Sequence, residues 1–110
     1  MTVYITNEIR RRDVSEAFEF GSLQVVIPSD MQVSANEEKK ERIVMMIEDA
    51  LADFNDNDYL LLSGDPVCIG ICFTVAALNN KGKVKALKWD RIEERYFPVS
   101  VHIDIGEEDA

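Results

Sequence analysis

The sequence predicts an α/β fold, and three stretches carry that expectation. The first is Tyr59 to Asn80, YLLLSGDPVCIGICFTVAALNN: an apolar strand-like run, the turn Ser63-Gly64-Asp65-Pro66, then a second and longer apolar run. Strand, tight turn and helix in that succession is a building unit of α/β sheets. The second is the stretch after Ser34, where apolar residues recur at helical steps. The third is the alternation of Val99, Val101, Ile103 and Ile105 with Ser100, His102 and Asp104, the period-two mark of a strand.

Taken in order, Val3-Tyr4-Ile5-Thr6 reads as a short strand. Asn7 to Glu19 is polar and charged and reads as a loop, with at most one turn of helix where Val14, Ala17 and Phe18 fall at helical spacing. Gly21 punctuates the chain, and Leu23 to Ile27 forms a second strand stopped by Pro28-Ser29-Asp30. Ser34-Ala35-Asn36-Glu37 has the form of a capping box, in which the serine oxygen and the glutamate satisfy free amides at a helix start. Ile43, Met46, Ile47, Ala50, Leu51 and Phe54 then form one apolar stripe, and Asn55-Asp56-Asn57-Asp58 ends the helix. Tyr59 to Leu62 shows no alternation and so predicts a central strand covered on both faces.

The run after Pro66 admits two readings, because Val67, Ile69, Ile71, Phe73 and Val75 alternate as a strand would. Its length, its Asp-Pro opening and its Asn79-Asn80-Lys81-Gly82 close favour a buried helix. Val84 to Trp89 is a strand, Asp90 to Glu94 a charged turn, and Tyr96 to Ile105 a strand. Pro98 cannot donate to a ladder and places that last strand at a sheet edge, in an antiparallel hairpin with its predecessor. The expected order is β-β-α-β-α-β-β: a mixed sheet of about five strands with two main helices.

A chain of 110 residues suits a single domain, 1–110, with 106–110 as a flexible acidic tail. A domain of this size buries roughly 65% of its unfolded surface, enough for one core without staples. The net charge is −9, from 12 basic and 21 acidic side chains. A field of that sign repels nucleic acid and anionic membrane and favours basic protein surfaces. Cys68 and Cys72 lie one helical turn apart, a poor geometry for a bridge, and predict free thiols in a reducing compartment. No basic region followed by an apolar stretch opens the sequence, and the longest apolar run, Val67 to Leu78, is too short to span a bilayer. The expected location is the cytoplasm.

Each candidate site has a structural counterpart. Ser63, Gly64 and Asp65 could hold a nucleotide or phosphate at a helix N-terminus, where free amides attract anions. Equally, Asp65 is a natural N-cap and Pro66 a natural first helical residue, which would fill the positive end with the chain's own carboxylate. Cys68 and Cys72 lack the further ligands a metal site requires and read as small buried hydrophobes. His102, the single histidine, lies on the polar face of an edge strand and has no partner that sequence can assign for a hydrolytic dyad. Arg10, Arg11 and Arg12 could grip phosphate or an acidic protein patch, or balance Asp13, Glu16, Glu19 and the acidic tail. The acidic groups could imitate a nucleic-acid backbone, but they alternate with bases, as in Glu37-Glu38-Lys39-Lys40-Glu41-Arg42. Trp89, with Tyr96 and Phe97, flanks the charged hairpin tip and suits a protein contact or the core.

Three segments together resemble a group of small uncharacterised proteins carried by tailed bacteriophages. They are YITN with D-x-S-x-A-x-x-F-G (Tyr4 to Gly21), DYLLLSGDPVCIG, and VKALKWDRIEERYFPV. The shared residues are Asp13, Ser15, Ala17, Phe20, Gly21, Gly64, Asp65 and Trp89. The resemblance implies a protein of the infected bacterial cytoplasm that acts on host machinery; it carries no catalytic residue, metal or cofactor with it. The leading expectation is a non-enzymatic accessory protein that binds a macromolecular partner, with Arg10, Arg11, Arg12 and Trp89 as candidate contacts, and that inhibits or modulates a host protein. The alternatives are a small-ligand domain with its pocket at Ser63 to Pro66, and a small assembly protein that oligomerises through its edge strands.

Overall fold

The computed structural model describes residues 1–10 and 13–106. Arg11, Arg12 and the tail at 107–110 lie outside the described residues. The strands are β1 Thr2–Asn7, β2 Ser22–Ile27, β3 Tyr59–Leu61, β4 Lys83–Asp90 and β5 Arg95–His102; the helices are α1 Glu37–Ala50 and α2 Pro66–Asn79. A short 3-10 helix, Ser15–Phe20, lies between β1 and β2. The strands form one sheet in the order β2-β1-β3-β4-β5. The first four are parallel, and β5 runs antiparallel to β4. This is the mixed sheet, element order and C-terminal hairpin expected from the sequence.

The direction of each crossover decides which face it covers. The chain moves one way from β1 to β2, then back past β1 to β3 and on to β4. Right-handed crossovers that run in opposite directions lie on opposite faces. Accordingly α1 and α2 pack together on one face, where Tyr4, Val26, Ile27, Leu60 and Val84 meet Ile43, Ile47, Leu51, Cys68, Cys72 and Ala76. The 3-10 helix lies on the other, where Ala17 joins Val3, Ile5, Leu61, Leu87 and Tyr96. β3 is thus covered on both sides, which explains its unbroken apolar run.

The helices form for local reasons, with two departures from expectation. The N-cap of α1 is Asn36, whose side chain accepts from the Lys39 amide at 3.0 Å. Ser34 does not cap the helix; its hydroxyl accepts from the Asn36 amide at 3.2 Å and shapes the approach. Both residues are favoured caps, and the one nearer the apolar stripe takes the position. The helix also ends at Ala50 rather than running to Phe54, but the following turn still buries Leu51 and Phe54 in the core. In α2 the expected roles hold: Asp65 is the N-cap, Pro66 the first residue, and Asn80 the C-cap. A reading of α2 as wholly buried needs correction, because one side faces solvent: Val67 is 56% exposed and Leu78 60%.

The parity of β5 explains Pro98. The Ile103 amide donates to the Gly82 carbonyl at 2.8 Å, so the amides of residues 101, 99 and 97 also point at β4. Position 98 points outward, where a missing N–H costs no ladder bond and blunts the free edge.

Candidate functional site

In this strand order the connections diverge between β1 and β3, and the crevice outside their carboxyl ends is where open α/β sheets place ligands. A cleft of about 640 Å³ lies there, lined by Asn7, Glu8, Ile9, Arg10, Ser29, Gln32, Val33, Gly64, Asp65 and Pro66. Its floor is stitched by the chain's own polar groups. The Thr6 hydroxyl donates to the Ser63 carbonyl at 2.6 Å and accepts from the Ser63 amide at 2.9 Å. The buried Asn7 amide group donates to the carbonyls of Ile27 and Pro28, both at 3.2 Å, and its oxygen accepts from the Asp65 amide at 3.1 Å. Asn7 therefore ties together the ends of β1, β2 and β3.

Asp65 has little left for a ligand. One carboxylate oxygen accepts from the Val67 amide at 2.9 Å, and the other from the Val33 amide at 3.2 Å. The positive end of α2 is neutralised from within, and the same carboxylate anchors the loop ahead of α1. Gly64 sits at φ +91, and a Cβ there would fall inside the Asn7 side chain, so the turn requires glycine. Ser63 is 2% exposed and lies beneath the loop rather than in the cleft lining; its hydroxyl has no partner among the described residues. Arg10 does reach the cleft, with its Nε donating to the Ser29 hydroxyl at 3.1 Å. The structure thus brings Gly64, Asp65 and Arg10 to one crevice.

Trp89 lies elsewhere, on β4 beside the β5 edge of the sheet. It stacks edge-on to the buried Tyr96, ring centroids 4.9 Å apart. It also borders a groove of about 480 Å³ whose walls include Leu62, Phe73, Ala86, Val99 and Val101, with Lys88 at the rim. Among the described residues no helix covers this side of the hairpin. Phe73 links it to α2, whose solvent side carries Val67, Gly70, Thr74 and Leu78. The 14 residues of α2 include no charged side chain. Sequence reasoning did not foresee this surface, because the residues of α2 are apolar on every side.

The remaining candidates fall apart from one another. Cys68 and Cys72 are buried and unbridged. A hydrogen bond to Cys68, together with burial, pushes the Cys72 thiol well up, as suits a core residue rather than a nucleophile. His102 is exposed on the opposite side of the sheet from α2. Among the described residues no group of His, Cys, Asp and Glu could hold a metal, and no helix is long and apolar enough to cross a membrane.

In comparison with known proteins, the model of a family described as Phage Pam3 gp32-like protein matches residues 1–103. No curated protein and no solved structure matches.

Proposed function

The chain belongs to the Phage Pam3 gp32-like family, and from that premise we propose that it is a phage accessory protein that works by binding a protein partner in the cytoplasm of the infected bacterium. One observation carries the reading: the uncharged outer side of α2 and the apolar groove beside β5 form a surface that the chain's own elements leave uncovered. Contiguous apolar surface of this kind is characteristic of protein–protein contact. Trp89 borders it, and Arg10 stands apart, in the cleft outside β1 and β3. A partner engaged through α2 would be a host or phage protein whose activity the binding inhibits or redirects.

The test is capture from bacterial lysate with the native chain and with Leu78→Glu, which places a charge on the exposed ridge. A protein retained by the native chain and lost by the variant supports the reading, given unchanged circular dichroism. Failure of the native chain to retain any protein at low salt, or equal capture by both, contradicts it.

A small ligand in the cleft between β1 and β3 is the second reading, favoured by the cleft's location. It is the weaker one because Asp65 already occupies the helix end. A ligand at about 100 times its Kd would add about 2.7 kcal/mol of stability. A thermal-shift panel of nucleotides with no response would remove this reading.

A further inference from the structure

The outer side of α2 is as ready for burial as its inner side. The helix spans 14 residues without a charged side chain. Its polar side chains are already engaged within the chain. The Thr74 hydroxyl donates to the Gly70 carbonyl at 2.9 Å, and the Asn79 side chain donates to the Leu51 carbonyl at 2.9 Å. Neither donor would lose a partner if water left this side.

Val67, Gly70, Thr74 and Leu78 follow one another at steps of three, four and four, and form one exposed stripe. That spacing suits the seam between two nearly aligned helices. Gly70 stands in the stripe, and a Cβ there would meet nothing within 4 Å. Glycine inside a helix is destabilising relative to alanine, and the chain's own packing does not call for it here. A second helix backbone approaching at this point would.

The stripe is its own complement. A two-fold rotation about an axis between Gly70 and Thr74 lays α2 antiparallel on α2 of a second copy. Gly70 then faces Thr74 of that copy, and Val67 faces its Leu78. The same rotation sets Asp65, the N-cap, at the end where Lys81 of the second copy stands exposed, one residue past the C-cap Asn80. Lys81 has no ion-pair partner among the described residues. Antiparallel helix dipoles also attract. Ridge, hollow and charge thus agree on one register.

Area decides the strength. At 1.5 Å per residue α2 is about 21 Å long, and with the groove beside β5 the open face is about 20 Å across. Two such faces cover on the order of 800 Å², below the roughly 1,200 Å² at which stable interfaces begin, so the contact is reversible. The net charge of −9 on each copy opposes association. At physiological ionic strength exposed charges more than about 8 Å apart are largely screened, and α2 brings none of its own to the contact.

We propose that the open side of α2 is closed in the free protein by a second copy of the chain, in a reversible antiparallel α2–α2 dimer. Resting on the reading that this side is a protein contact, the dimer adds its regulation: a partner that engages α2 competes with the second copy.

Sedimentation of the purified native chain tests this, from about 1 μM to about 1 mM, where the chain should pass from monomer toward dimer. Leu78→Glu should remain monomeric throughout. Lys81→Glu and Lys83→Glu each lower the net charge by the same two units, but Lys83 stands on the sheet face opposite the helices, since its neighbour Val84 packs under them. Lys81→Glu should therefore raise the dimer dissociation constant about tenfold more than Lys83→Glu, because symmetry turns two attractive contacts repulsive at once. Retained circular dichroism excludes unfolding as the cause. A native chain monomeric at about 1 mM, a dimer indifferent to Leu78→Glu, or equal effects of the two lysine variants would overturn the proposal. A monomer that still captures a lysate protein through Leu78 overturns the dimer and leaves the proposed function standing. A dimer with no such capture supports the dimer and removes that function.

Discussion

Asp65 closes two contacts at once, which makes it the residue whose replacement has the clearest consequence. Removing an N-cap carboxylate costs about 0.5–2 kcal/mol. Here the Val33 amide loses its acceptor as well, so Asp65→Ala should lie at or above the upper end of that range in urea unfolding. Asp65→Asn, which keeps an acceptor oxygen, should recover most of the loss. Equal stability of Asp65→Ala and the native chain would mean that the carboxylate is free for other use. Cys72 gives a second test, with pH as the variable. Its thiol is held well above the ordinary thiol value in the folded chain. Above about pH 8.5 the unfolded chain therefore releases this proton while the folded chain retains it. The folded state then binds more protons, so stability should fall as pH rises through that region. Cys72→Ala should remove that part of the slope, which urea midpoints measured between pH 7 and 10 can detect.

The helix α2 illustrates how an element can meet its structural expectation and still hold unexpected surface. Asp65, Pro66 and Asn80 were legible as punctuation because each occupies a position its chemistry favours. Which side of α2 stays open was not legible, because its apolar residues run all the way round and periodicity cannot select a face. Gly70 shows the consequence. It lies mid-helix, and a Cβ there would meet nothing within 4 Å. With no crowding to justify it, Gly70→Ala should stabilise the isolated chain by about 0.4–1 kcal/mol in urea unfolding. A loss of stability would show that the helix tolerates less than the open space implies. The α1 cap shows the converse limit: Ser34 and Asn36 are both sound N-caps, and propensity alone does not rank them.

For the molecule as a whole, the class and order of the elements could be read because each strand and helix carries its own period. The strand order could not, since pairing of β1 with β3 depends on contacts nearly sixty residues apart, such as Thr6 with Ser63 and Asn7 with Asp65. The same holds for both candidate surfaces, which arise where segments distant in sequence meet. The charge of −9 was visible, and so was its uneven spread, since residues 81–95 hold six basic and three acidic side chains. The proposed function places a protein partner on the open side of α2. Photocrosslinking tests it most directly: a photoreactive residue replaces Thr74 on that side in one variant and Glu38 on α1 in another, and each is irradiated in the bacterial cytoplasm. A discrete covalent adduct from position 74 and none from position 38 is the predicted result; no adduct from position 74, or the same adducts from both, would contradict it.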